Sequence, residues 1–269
     1  MPHALLAELN MQLGDSTATV MHARAALPVV ERLGANEDEA QLRALLVLCD
    51  ISEGRLTRAR EELARIDRIE VRVASYGTDV FAHIGRAELL LASGDHDGGL
   101  RLYRESSAWM RRSEVPDALR SGTELWSYFG DALVLNAHAW YAAEPDQQAC
   151  GAETFAICRA NALKVLTKDN ERLDYPAAGL LLFALGVWGL LRRAAPAPDA
   201  LRLLALADRF AYNRMLPSMA WERIVPEAEK ALPGRLGELR AEYADRRPPD
   251  LLAEAREAAR RLPDVPEHC

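Results

Sequence analysis

Three glycines stand at equal intervals near the start of the chain: Gly14, Gly54 and Gly94, forty residues apart twice in succession. Each closes a run with apolar residues at helical spacing: ALLAELNMQL, then EAQLRALLVLCDISE, then FAHIGRAELLLAS. Glycine is suited to such a stop. A left-handed backbone costs an ordinary L-residue roughly 1–2 kcal/mol and costs glycine almost nothing. Asp15 and Asp95 follow two of the three glycines, where a carboxylate can accept the unpaired N–H groups of a new helix. Other offsets agree. Thr19, Ala59 and Gly99 lie five residues after the glycines and are small, as close helix crossing requires. Leu9, Cys49 and Leu89 lie five before, and Ala7, Val47 and Ala87 seven before, all apolar.

Agreement at several offsets predicts antiparallel helix pairs stacked at a fixed period, an all-α α-solenoid. The turn and small-residue pattern is tetratricopeptide-like, with a period longer than the usual length of about 34 residues. HEAT-type pairs share the period but less of the turn chemistry. Alternating Val-Ile-Thr runs that would mark strands are absent. The expected pairs are 2–33, 37–70, 74–113, 116–168 and 171–212. The fourth comprises a long helix 116–141, a turn at Glu144-Pro145-Asp146 and a partner helix 151–168. The fifth comprises 171–193, a Pro-rich turn at 195–198, and 199–212. Closing helices are expected at 217–231, 234–246 and 250–262, separated by Pro226, Pro233 and Pro248-Pro249. With no long linker, 1–269 reads as a single helical-repeat domain. The first helix begins almost at Met1 with no polar capping unit before it. Such an end is expected to expose an apolar face, covered by a partner, a second copy or a preceding part of a longer polypeptide.

Composition narrows the function classes. The 269 residues carry a net charge of −7, which disfavours nucleic acid and anionic lipid as partners of the chain as a whole. Lys164, Lys168 and Lys230 are the only lysines, a bias expected of a GC-rich bacterial gene. Cys49, Cys150, Cys158 and Cys269 form no C-x-x-C pair, which fits a reducing cytoplasm better than a disulfide framework. No basic stretch followed by a long apolar core marks a signal peptide in the first residues. The longest apolar run, Ala177–Leu191, is shorter than the roughly 20 residues needed to cross a bilayer and reads as a buried helix.

Few residues offer chemistry. Asp95, His96 and Asp97 are consecutive, whereas hard-cation loops use alternating ligands, and the stretch lacks the lysine of a phosphate loop. It reads as a capped turn with His96 and Asp97 facing solvent. Cys150 and Cys158, with His138 one helix earlier, are spaced more widely than zinc ligands normally are and read as packed hydrophobes. No nucleophile with a base and an orienting carboxylate is recognisable, so no catalytic residue, cofactor or metal is expected, and the protein reads as non-enzymatic. Aromatics gather at Tyr103, Trp109, Trp126, Tyr128, Phe129, Trp140 and Tyr141, with Arg101, Arg104, Arg111, Arg112 and Arg120 nearby. They read as a helical core with an arginine rim, the other reading being a stacking patch. Phe210, Tyr212, Met215, Met219 and Trp221 surround Pro217 and read as a sealed helix corner, the other reading being a small-molecule pocket. In stacked helix pairs the first helices line the concave face. Counting back from Gly54 and Gly94 places Gln41, Ala44, Leu48 and Ile51 there with Phe81, Ile84, Glu88 and Leu91. This mostly apolar face is expected to form a groove for a partner helix or extended peptide.

One stretch carries a family resemblance. LLALADRFAYNRMLPSMAWERI, Leu203 to Ile224, resembles the C-terminal helical region of actinobacterial transcriptional regulators. These are the Streptomyces antibiotic regulatory protein family and relatives with a bacterial transcriptional activator domain. LDYPAAGLLLFALGVWGLLRR (173–193) and FGDALVLNAHAWYA (129–142) resemble the same region, and the likeness spans about 118–230. The resemblance implies a protein-interaction or regulatory region of such a regulator. The family's DNA-binding and nucleotide-binding parts have no counterpart here, since neither a Walker A motif nor a recognition helix is recognisable. Two further classes stay open: a small-ligand sensor with a pocket between the concave face and the Trp-rich fourth helix pair (Trp126, Trp140), and an enzyme accessory domain.

Overall fold

The computed structural model describes residues 2–69, 78–112, 123–167 and 173–263. The expected helix ends at 70, 74–77, 113, 116–122, 168 and 171–172 lie outside these residues, as do Arg120, His268, Cys269 and the side chains of Arg112 and Trp126. Every regular element among them is helical, as the sequence predicts. The chain divides into two compact units, Met1–Ser106 with Arg214–Ala220, and Ser107–Asn213 with Trp221–Cys269.

The first unit is built from α1 (Pro2–Leu13), α2 (Ser16–Leu33), α3 (Asn36–Ser52), α4 (Leu56–Ile66), α5 (Thr78–Ala92) and the start of α6 (His96–Arg112). The three glycines are left-handed, with φ of +82° at Gly14, +74° at Gly54 and +89° at Gly94. The residue after each donates its N–H five residues back, from Asp15 to Asn10, Arg55 to Asp50 and Asp95 to Leu90, at 2.7–3.0 Å. That bond ties up a carbonyl left over at the helix end. The next helix opens alike each time, with Thr19, Ala59 and Gly99 donating to Asp15, Arg55 and Asp95 oxygens at 3.0–3.1 Å. Asp15 caps α2 through the Ala18 N–H and Asp95 caps α6 through the Gly98 N–H, both at 2.9 Å. Gly99 is required by close approach: a Cβ there would lie 2.6 Å from Leu91 and 3.1 Å from the Ala87 oxygen. His96 and Asp97 are exposed, as expected of a capped turn.

α3 is the centre of this unit and packs against α1, α2, α4 and α5. Its apolar residues Ala40, Ala44, Val47 and Ile51 share a core with Ala59, Leu63 and Ile66 of α4 and Ala82 and Leu89 of α5. Arg43 ties neighbouring helices at the rim, pairing with Glu31 of α2 at 2.6 Å, Glu39 at 2.8 Å and Glu62 of α4 at 2.9 Å.

The second unit contains α7 (Thr123–Tyr141), α8 (Pro145–Val165), α9 (Tyr175–Leu191), α10 (Ala197–Arg209), α11 (Trp221–Ala231), α12 (Arg235–Tyr243) and α13 (Leu252–Arg261). The apolar run expected to be a buried helix is α9. It is buried continuously from Ala178 to Gly189 and touches α7, α8, α10 and α11. A helix apolar on every side needs neighbours on every side. Among the described residues no helix is long and apolar enough to cross a membrane.

Two proline assignments need correction. α8 starts at Pro145, six residues earlier than expected, because proline suits the first helical position and Gln147 Oε1 accepts the Glu144 N–H at 3.2 Å. Pro226 separates nothing; it sits inside α11, at the cost of one backbone donor. The stretch 217–220 is a short 3-10 turn, Pro217–Met219, before α11 begins at Trp221.

Candidate interaction surface

The eight residues expected to line a groove are brought together on α3 and α5, which are neighbours. They do not line an open groove. Ala44, Leu48, Ile51, Ile84, Glu88 and Leu91 are each 5% exposed or less, while Gln41 and Phe81 are half-buried. The chain itself supplies a cover. Residues Arg214–Ala220 return to the first unit as a strap, and their 3-10 turn packs on α3. The Arg214 N–H donates to the Gln12 carbonyl at 3.0 Å, and the Arg214 side chain lies over Gly14. The Ser218 hydroxyl donates to the Glu88 carboxyl group, which also accepts the Tyr103 hydroxyl. Met215, Leu216 and Met219 are buried. The face of α3 and α5 is thus covered by a segment of this chain itself. Gln41 donates to Glu8 Oε1 at 2.9 Å, across to α1.

The open apolar surface lies instead on the first helix pair. Among the described residues eight large hydrophobic side chains are exposed, and seven of them are Leu5, Leu6, Leu9, Leu13, Met21, Val29 and Leu33. Their exposure runs from 36% to 67%. The eighth is Trp109. At about 100° per residue, Leu5, Leu6, Leu9 and Leu13 fall on the side of α1 opposite its buried Ala7 and Met11. Met21, Val29 and Leu33 form one row along α2, with Ala25 completing the four-residue spacing. Leu9 therefore differs from its counterparts Cys49 and Leu89, which are buried. The three share an apolar character, but only the latter two have a helix packed over them. His3 and His22 bridge the two helices at this end, with their Nδ1 atoms 2.9 Å apart.

The remaining sequence candidates take structural roles. Of the aromatics expected to form a core, Tyr103 and Tyr128 are buried, Phe129, Trp140 and Tyr141 are half-buried and Trp109 is exposed; Arg101 and Arg111 are exposed and Arg104 is half-buried. Arg111 and the Ser107 hydroxyl, at 3.1 Å, both donate to the buried Asp131 carboxylate. Arg223 stacks over Trp140 at 4.2 Å and donates to the Tyr141 hydroxyl at 2.8 Å. Phe210, Tyr212 and Trp221 are buried, with Tyr212 stacked on Phe183 at 4.2 Å between centroids. Among the described residues no three His, Cys, Asp or Glu side chains converge as a metal site. The Cys158 thiol is driven well above its ordinary range by burial, with the Asp131 charge adding to the effect. That makes it a poor ligand and nucleophile. A surface cleft of about 360 Å³ opens between α10 and α12, lined by Asp208, Arg209, Arg240 and Tyr243. Asp208 and Arg240 pair there at 2.8 Å.

No family model, no curated protein and no solved structure matches the chain.

Proposed function

We propose that this chain is a non-enzymatic protein-interaction module, an α-solenoid of tetratricopeptide-like helix pairs that docks a protein through its α1–α2 end. The observation that carries the proposal is the exposed apolar surface concentrated on those two helices. Soluble monomers seldom leave contiguous apolar patches much above a few hundred Å² uncovered, and larger ones mark interaction sites. The repeated glycine turns of the first unit support the solenoid assignment. The setting, a cytoplasmic bacterial transcriptional regulator whose DNA-binding and nucleotide-binding functions reside elsewhere, is carried by the resemblance around 118–230 and by cysteine usage.

The test is affinity capture from a host extract with the full chain and with Leu9→Glu, Leu13→Glu and Met21→Glu. These positions are at least 46% exposed, so the variants keep the fold. Proteins retained by the wild type, its own copies included, should be lost from all three. Identical capture by wild type and variants would refute the docking role of this end.

A further inference from the structure

The partner that fits the α1–α2 end follows from the size, the ridge pattern and the charge of that face. We infer that it is a second copy of this chain, placed across a two-fold axis. This inference rests on the docking proposal above and adds the identity of the partner.

Size comes first. The seven exposed side chains leave roughly 600 Å² of surface open on one copy, at the upper end of what a monomer tolerates. Two such faces brought together can bury up to about 1,200 Å² from these side chains, the lower bound of a standard stable interface. Shape is next. Leu5, Leu9 and Leu13 recur every four residues, and so do Met21, Ala25, Val29 and Leu33. Rows at four-residue spacing interdigitate with rows of the same kind when helices cross at about −50°. A ridge system that packs into its own kind is what a two-fold, self-complementary contact needs.

Charge separates a second copy from other occupants. Residues 1–34 contain Arg24 and Arg32 against Glu8, Asp15 and Glu31, so this end is nearly neutral on a chain of net charge −7. The three carboxylates are engaged away from the face: Glu8 with Gln41, Asp15 as the α2 cap, and Glu31 with Arg43. Two copies can therefore meet here without the like-charge repulsion that the rest of the surface would impose. A helix lying on an anionic membrane would carry Lys and Arg along its polar face, and α1 has none.

Sedimentation velocity of the full chain between 1 and 100 μM tests the inference. The wild type should sediment as a dimer of about 60 kDa, twice the 29.8 kDa chain mass. Leu9→Glu should raise the dimer dissociation constant at least 100-fold, by placing a buried charge on each of the two faces and removing apolar contact. Met21→Glu, on the other helix, should act the same way and guards against a fold defect peculiar to α1. Arg101→Glu, exposed and on α6, should change nothing. Leu9→Cys should form a disulfide-linked dimer on mild oxidation, where Arg101→Cys does not. A wild type that is monomeric at 100 μM overturns the inference, as does a dimer that survives both glutamate substitutions. Binding of the monomer to phosphatidylglycerol vesicles, lost in Leu9→Glu, would replace the second copy by a membrane. If the wild type is monomeric yet captures another protein through Leu9, the docking proposal stands and only the second copy falls. If neither is observed, both fall.

Discussion

Ser218→Ala asks whether the strap over the α3–α5 face is held by the buried Ser218–Glu88 hydrogen bond. The substitution removes the hydroxyl that donates to Glu88 and leaves the Tyr103 hydroxyl in place on the same carboxyl group. Loss of one buried hydrogen bond of this kind costs about 1–2 kcal/mol. Because the strap's apolar side chains remain, the loss falls on local opening of 214–220 and not on global unfolding. About 1–2 kcal/mol is a 5- to 30-fold increase in the opening equilibrium. Native-state hydrogen exchange followed by NMR reads it directly. The Arg214 amide, bonded to Gln12 at 3.0 Å, and the Met219 amide, bonded to Leu216 at 2.9 Å, should exchange 5- to 30-fold faster. The Arg55 amide, bonded to Asp50 at 2.7 Å in a turn remote in sequence, should keep its rate. Met219→Ala should open the strap further, since emptying a buried methionine site costs about 2–5 kcal/mol. Unchanged exchange at Arg214 and Met219, or equal acceleration at Arg55, would refute the strap as a locally anchored cover.

Two glycines should fail for different reasons. Gly54→Ala meets no neighbour within 4 Å, so its cost is the left-handed backbone alone, about 1–2 kcal/mol by urea titration. Gly151→Ala sits in α8, where a methyl group would collide with the buried Trp188 ring. There the overpacking cost of about 1–3 kcal/mol outweighs the roughly 1 kcal/mol that alanine gains in a helix. Trp188→Leu should relieve Gly151→Ala in a double-mutant cycle and show no coupling to Gly54→Ala. The alkaline limb of stability should depend on Cys49. Burial pushes its thiol up to about 12, with the Asp50 charge adding and Arg55 opposing. The folded state keeps the thiol protonated while the unfolded chain ionises near its ordinary value of about 8.5. Stability is thus intact below that value and falls by about 1.4 kcal/mol per pH unit as pH rises toward 12. Cys49→Ala should make the urea midpoint less steep between pH 9 and 10.5, and an unaltered slope would count against this assignment.

How much was legible in the chain depended on the range of the interaction that decides each feature. The turns at Gly14, Gly54 and Gly94 are decided within six residues, by one left-handed glycine, one returning N–H and, at two of them, one aspartate cap. Such features are written locally, and the helix pairs follow from them. The buried character of α9 is local too, because an apolar surface on every side admits no solvent-facing orientation. The start of α8 is not legible locally, because Pro145 can end a turn or begin a helix, and the Gln147 contact chooses the second. Leu9, Cys49 and Leu89 mark the limit of local reading. Their pattern says that each is apolar and says nothing of what covers it, and only Leu9 is left open.

By itself, then, the amino-acid order determined the helices, their stops and caps, and which sides of them are apolar. These are properties of backbone sterics and of periodicity over one or two turns. Tertiary structure alone decided which apolar side stays exposed and which is covered. The face of α3 and α5 is closed by a segment whose Ser218 stands 130 residues from Glu88, a contact between groups too far apart in the chain for any local pattern to register. The α1–α2 face remains open because no described helix packs against it, and burial is a property of what lies across a surface and not of the residues that form it.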